Sequence, residues 1–194
     1  MTDANPRNRL TGVLLLTSLV AMIAGAAIVV PSGLTLNSAD PGAALAAVGE
    51  QPGLHLTELA FDVLGWLALT AAGLVMSARS ARAPEPHLVT LAGGLLAAAG
   101  LAGLLHDAGN LALTQLAARP TAPAAATVAW AVLLTAKWAV NLAGLLWVAA
   151  TAAAAAGLPM PAGLRVAGAA AALSGRAGRR RRWSRPGTHS TCRS

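Results

Sequence analysis

Four stretches of roughly twenty residues, 10–30, 54–76, 88–105 and 127–150, consist almost wholly of apolar and small side chains. A helix rising 1.5 Å per residue needs about 20 such residues to cross about 30 Å of hydrocarbon. Lipid offers no partner to a backbone amide, so each stretch must satisfy its own hydrogen bonds as a helix. Four spans cannot close a barrel, and Ala, Leu and Gly in unbroken runs do not alternate as barrel strands do. Composition agrees. Of 194 residues, 56% are hydrophobic and 11% charged, less than half of the roughly 25% charged content of a soluble domain. The expected fold is therefore all-α: an integral membrane four-helix bundle.

The arginines set its orientation. Arg7 and Arg9 precede the first span, Arg79 and Arg82 lie between the second and third, and eight more follow the fourth. The opposite loops carry only Arg119. The positive-inside rule then puts both termini on the cytoplasmic side of a cell membrane, and an even number of spans agrees by placing them on one side. Residues 1–9 are read as a cytoplasmic segment, 10–157 as the bundle, 158–175 as an interfacial helix broken from the bundle by Pro159 and Pro161, and 176–194 as a disordered basic tail. Arg176, Arg179, Arg180, Arg181, Arg182 and Arg185 of that tail would meet anionic inner-leaflet lipid at about 1 kcal/mol each. Most of the net charge of +7 sits there, without the aromatic platforms or module of a nucleic-acid binder, so no nucleic-acid partner is expected. Ala24-Gly25-Ala26 resembles a signal-peptidase site, yet the apolar run continues to Val30 and favours an uncleaved span.

The connections carry turn and cap chemistry. Asp40-Pro41 reads as an N-cap followed by proline at the first helical position, predicting a short surface helix over 43–48 that stops at Gly49 and Pro52. The brief arginine-bearing loop 77–85 makes spans two and three antiparallel neighbours. Span three breaks its apolar run at His106 and Asp107, with a helical continuation expected through Gln115.

The polar residues inside the spans are the most informative. A charge at mid-bilayer costs roughly 3 kcal/mol or more, so such groups turn inward and find partners. Glu58 and Asp62 are four apart and share a helix face, which Trp66 continues. His106 and Asn110 are four apart, with Asp107 beside them; Lys137, Asn141 and Gly144 form a third stripe. Lys137, the only lysine, lies about 15 Å deep and Asp62 about 8–12 Å by helical rise. Shared depth predicts an Asp62–Lys137 pair, assisted by Asn141. Glu58, Asp62, His106, Asp107, Asn110, Lys137 and Asn141 together form the candidate polar cluster, serving either as a structural ion pair or as a proton or cation site.

Other chemistry is excluded or weakly signalled. A single cysteine, Cys192, rules out an internal disulfide, a CxxC pair and a cysteine zinc site. No metal site is expected, and no phosphate loop, nucleophile elbow or HExxH motif occurs. His87 and His106 lie about 28 Å apart by helical rise, too far to share a haem. His55 is placed where it could approach His106. Gly93, Gly94, Gly100 and Gly103 offer faces for close helix approach.

A first span beginning Arg9-Leu10-Thr11-Gly12, an outer Asp40-Pro41 segment and Phe61-Asp62-Val63-Leu64 early in the second span resemble a family of bacterial multi-spanning membrane proteins of unknown function, type 4386, over about half the chain. The resemblance implies a helical membrane fold and no established chemistry. The leading expectation is a non-enzymatic accessory or structural bundle without cofactor, in contact with lipid and with copies of itself or a larger membrane partner. One alternative is a small proton- or cation-coupled carrier using the carboxylate/lysine cluster. Another is a haem or quinone redox protein using His55 and His106.

Overall fold

The computed structural model describes residues 6–32, 34, 36, 39–119 and 124–158. The interfacial helix expected beyond Leu158 and the basic tail lie outside the described residues. Five helices follow in order: α1 (Pro6–Ser32), α2 (Pro41–Glu50), α3 (Pro52–Ser77), α4 (Pro86–Ala117) and α5 (Ala125–Gly157), with one 3-10 turn, Ser80–Arg82, between α3 and α4. Among the described residues there is no strand. Helices α1, α3, α4 and α5 are each long and apolar enough to cross a membrane.

Local chemistry sets the helix ends. Pro41, Pro52 and Pro86 each stand at the first helical position, where the missing N–H costs nothing. Ala43 N–H donates to Asp40 Oδ1 at 2.9 Å, the cap read from the sequence. Gly49 does not stop α2, which runs on to Glu50 just before Pro52. Ser32 closes α1 by donating from its hydroxyl to Val29 O at 2.8 Å, one residue beyond Pro31. Helix α4 passes through His106 and Asp107 without a break. Polar side chains interrupt an apolar run but not the backbone ladder.

The spans pack in chain order: α1 on α3, α3 on α4, α4 on α5. One core is shared, with Trp66, Leu69 and Ala72 of α3, Leu96 and Ala99 of α4, and Ala143 and Ala150 of α5, bordered by Leu14 and Met22 of α1. Helices α3 and α4 approach most closely where glycines face the partner backbone. A methyl group on Gly100 would lie 2.8 Å from both Thr70 N and Trp66 O, and one on Gly103 would overlap the Trp66 ring. Gly94 and Gly144, by contrast, face open space, so Gly94 does not serve the close approach that the sequence suggested.

The two ends of the bundle differ. Arg79 donates to Thr11 Oγ1 at 3.3 Å, and Gly157 adjoins Leu88 and Val89. The start of α1, the α3–α4 turn and the end of α5 therefore share one arginine-bearing end. At the other end, surplus turns of α4 and α5 extend past the bundle and meet α2, where Ala44, Leu45, Leu113, Ala125, Ala129 and Leu133 form a second small core. The helix expected at the surface is thus docked on the ends of α4 and α5.

Candidate functional site

The site lies between α3 and α4 in the half of the bundle nearer α2. The α3–α4 register follows from two contacts: Trp66 covers Gly103, and His55 Nε2 meets Asn110 O at 3.3 Å. Moving one turn from Trp66 toward α2 reaches Asp62, and one turn from Gly103 in the same direction reaches Asp107. The two carboxyl groups therefore share a level. Asp107 is 2% exposed, and neither of its side-chain oxygens has a hydrogen-bond partner among the described residues. Asp62 turns toward α1, where Gly25 makes room for it: a methyl group there would lie 2.7 Å from Asp62 Oδ1.

Two histidines converge on Asn110 from opposite sides. Asn110 Nδ2 donates to His106 Nε2 at 3.0 Å, and His106 Nδ1 lies 3.0 Å from Ala136 O on α5. A carbonyl can only accept, so Nδ1 carries the proton, and Nε2, facing an amide donor, does not. The two contacts suit the Nδ1–H tautomer of His106. This side chain joins α4 to α5 and, with both nitrogens engaged, has no lone pair for a haem iron. His55, 1% exposed, must likewise donate from Nε2 to the Asn110 carbonyl. Its Nδ1 lies 3.3 Å from Glu58 Oε2, whose side chain is 15% exposed. Imidazole and carboxyl together hold at least one exchangeable proton.

No protein-family model, curated protein or solved structure matches this chain. What the site can do rests on its own geometry.

Glu58, Asp62, His106, Asp107 and Asn110 thus lie in the same half of the α3–α4 pair; Lys137 and Asn141 point elsewhere. Lys137 is exposed, and among the described residues no ion pair joins it to Asp62. Ala136 faces α4, and the helical pitch turns Lys137 about 100° away. Asn141 instead donates to Lys137 O at 2.9 Å, within its own helix. The expected Asp62–Lys137 pair is corrected accordingly: the two match in depth but not in facing direction.

Among the described residues, no lysine or arginine is paired with Glu58, Asp62 or Asp107. An ionised carboxylate held away from water without a donor is so costly that the group takes a proton or a paired cation instead. Among the described residues, no three His, Cys, Asp or Glu side chains converge as ligands of one metal ion would. Sequence reasoning left His55 at the margin of the site, although His55, Glu58, Asp62 and Trp66 follow one α3 face at spacings of three and four. Gly25 and Ser18 carried no signal, because only packing shows that they face α3.

Proposed function

We propose that this chain is a small integral protein of the cell membrane, both termini cytoplasmic, that takes up and releases protons through the carboxyl groups of Glu58, Asp62 and Asp107. The burial of Asp107 with both oxygens unbonded carries this reading. A bundle held together only by packing gains nothing from an acid there, whereas a proton-binding bundle requires one. In this reading Asp107 is the innermost proton-binding group, Asp62 lies at the same level on the α1 side of α3, and the His55–Glu58 pair passes protons toward the α2 end. His106 and Asn110 position the helices. The protein is not an enzyme in this proposal and needs no cofactor.

Proteoliposomes with an imposed pH gradient and an internal pH dye provide the test. Wild-type vesicles collapse the gradient faster than empty ones, and Asp107→Asn slows them to the empty rate with helix content unchanged. Wild-type vesicles no faster than empty ones refute the proposal. A second reading, an accessory subunit seated on a larger membrane partner, is favoured by exposed Lys137 within an apolar span. Gentle detergent purification tests it: a partner protein accompanies the wild type and is lost with Lys137→Met.

A further inference from the structure

Five buried side-chain atoms make no hydrogen bond among the described residues: both Asp107 carboxyl oxygens, Trp66 Nε1, Ser18 Oγ and His55 Nδ1, the last of which still lies 3.3 Å from Glu58 Oε2. They are not scattered. His55 meets Asn110 near the α2 end, Asp107 lies one turn further in, and Trp66 covers Gly103 a turn beyond that. Ser18 sits beside Gly65, its carbonyl 3.3 Å from where a Gly65 methyl would be. The atoms thus follow the interior from His55 to Trp66, eleven residues of α3, or about 16 Å by helical rise.

We propose that this track is a vestibule filled with ordered water, open toward α2 and floored by Trp66. Its chemistry suits water. The Trp66 indole can only donate, a carboxylate only accepts, and a serine hydroxyl does both. A buried water typically makes about three hydrogen bonds to groups of this kind that lack other partners. Beyond Trp66 the interior is apolar, with Leu69, Ala72, Leu96 and Ala99, until the hydroxyl cluster of Ser77, Ser80 and Thr90 at the arginine-bearing end. In this conformation the track is one-sided, open toward α2, the outer side in the proposed orientation, and passage to the arginine-bearing end requires α3 and α4 to shift past Trp66. Its use for protons rests on the proton-binding reading above; the water itself does not. The titratable groups facing it are His55, Glu58 and Asp62 from α3 and His106 and Asp107 from α4. Helices α1 and α5 contribute none.

The test is water contact at the Trp66 indole, measured by NMR on 15N-labelled full-length protein in phospholipid nanodiscs and assigned with Trp66→Phe. The indole N–H shows magnetisation transfer from water, while the methyl groups of Leu69 and Ala72 do not. Asp107→Leu weakens the indole signal roughly tenfold by removing the acid that anchors the water, and Asp107→Asn retains it. A Trp66 indole without water contact in the wild type overturns the vestibule. So does equal hydration at Leu69 and Ala72, which would make the track run through. A dry indole with intact proton flux defeats the vestibule alone, and a wet indole without flux defeats the transport reading alone.

Discussion

Gly100→Ala probes the contact that fixes the site. At Gly100 the added methyl would sit 2.8 Å from Thr70 N and 2.8 Å from Trp66 O. The Thr70 hydroxyl lies closer still but can rotate away; these two are backbone atoms and cannot, so α3 and α4 must part by about 0.6 Å to restore an ordinary contact of 3.4 Å. A gap of 0.5–1 Å forfeits about a quarter to a half of each dispersion contact, each worth about 0.1–0.2 kcal/mol. Summed along the interface this gives a loss of about 1–3 kcal/mol, the usual cost of overpacking. Alanine also favours a helix over glycine by up to about 1 kcal/mol, which would mask part of the loss. Gly94→Ala removes that ambiguity. It lies on the same helix, faces open space, and carries the propensity gain without the clash. The expected outcome is that Gly100→Ala is less stable than Gly94→Ala by about 1–3 kcal/mol, read as the difference between their SDS-unfolding midpoints by circular dichroism. Equal midpoints would refute the claim that glycine at this position sets the α3–α4 distance.

Further outcomes follow from single contacts. Lys137→Met leaves stability within about 0.5 kcal/mol, and a double-mutant cycle with Asp62→Asn shows coupling below about 0.5 kcal/mol; stronger coupling would restore the pair that the structure separates. Asn110→Leu removes the donor to His106 Nε2 and costs about 1–3 kcal/mol in the same SDS titration, and 15N spectra of His106 lose the signature of a hydrogen-bonded Nε2. Asp40→Ala costs about 1 kcal/mol, confined to α2, seen as faster amide exchange at Ala43 and Ala44 with exchange in α3 unchanged.

Lipid imposes one rule, and whatever follows from that rule was legible in the residues. The four spans, their helical character and the Asp40 cap needed only run length and local chemistry. Helix ends were less legible, because an apolar run measures the thickness of hydrocarbon rather than the length of the helix. Helix α4 continues through His106 and Asp107 to Ala117, close to the continuation expected through Gln115, whereas α2 runs on past Gly49 to Glu50. Facing direction was the least legible property. Depth places Lys137 level with Asp62, but only packing decides which way each points. The glycine and alanine faces that fix the packing have no complement that can be read from one chain. Gly100 needed Thr70 and Trp66, Gly25 needed Asp62, and Ala136 needed His106. That difference bears directly on function. Paired with Lys137, Asp62 would be a structural ion with its charge met. With Lys137 turned outward, no lysine or arginine meets the carboxyl groups, and the remaining bases are two histidines. His106 is occupied at both nitrogens. On the proton-binding proposal, the outward turn of Lys137 is what separates a site for exchange from a clamp between helices.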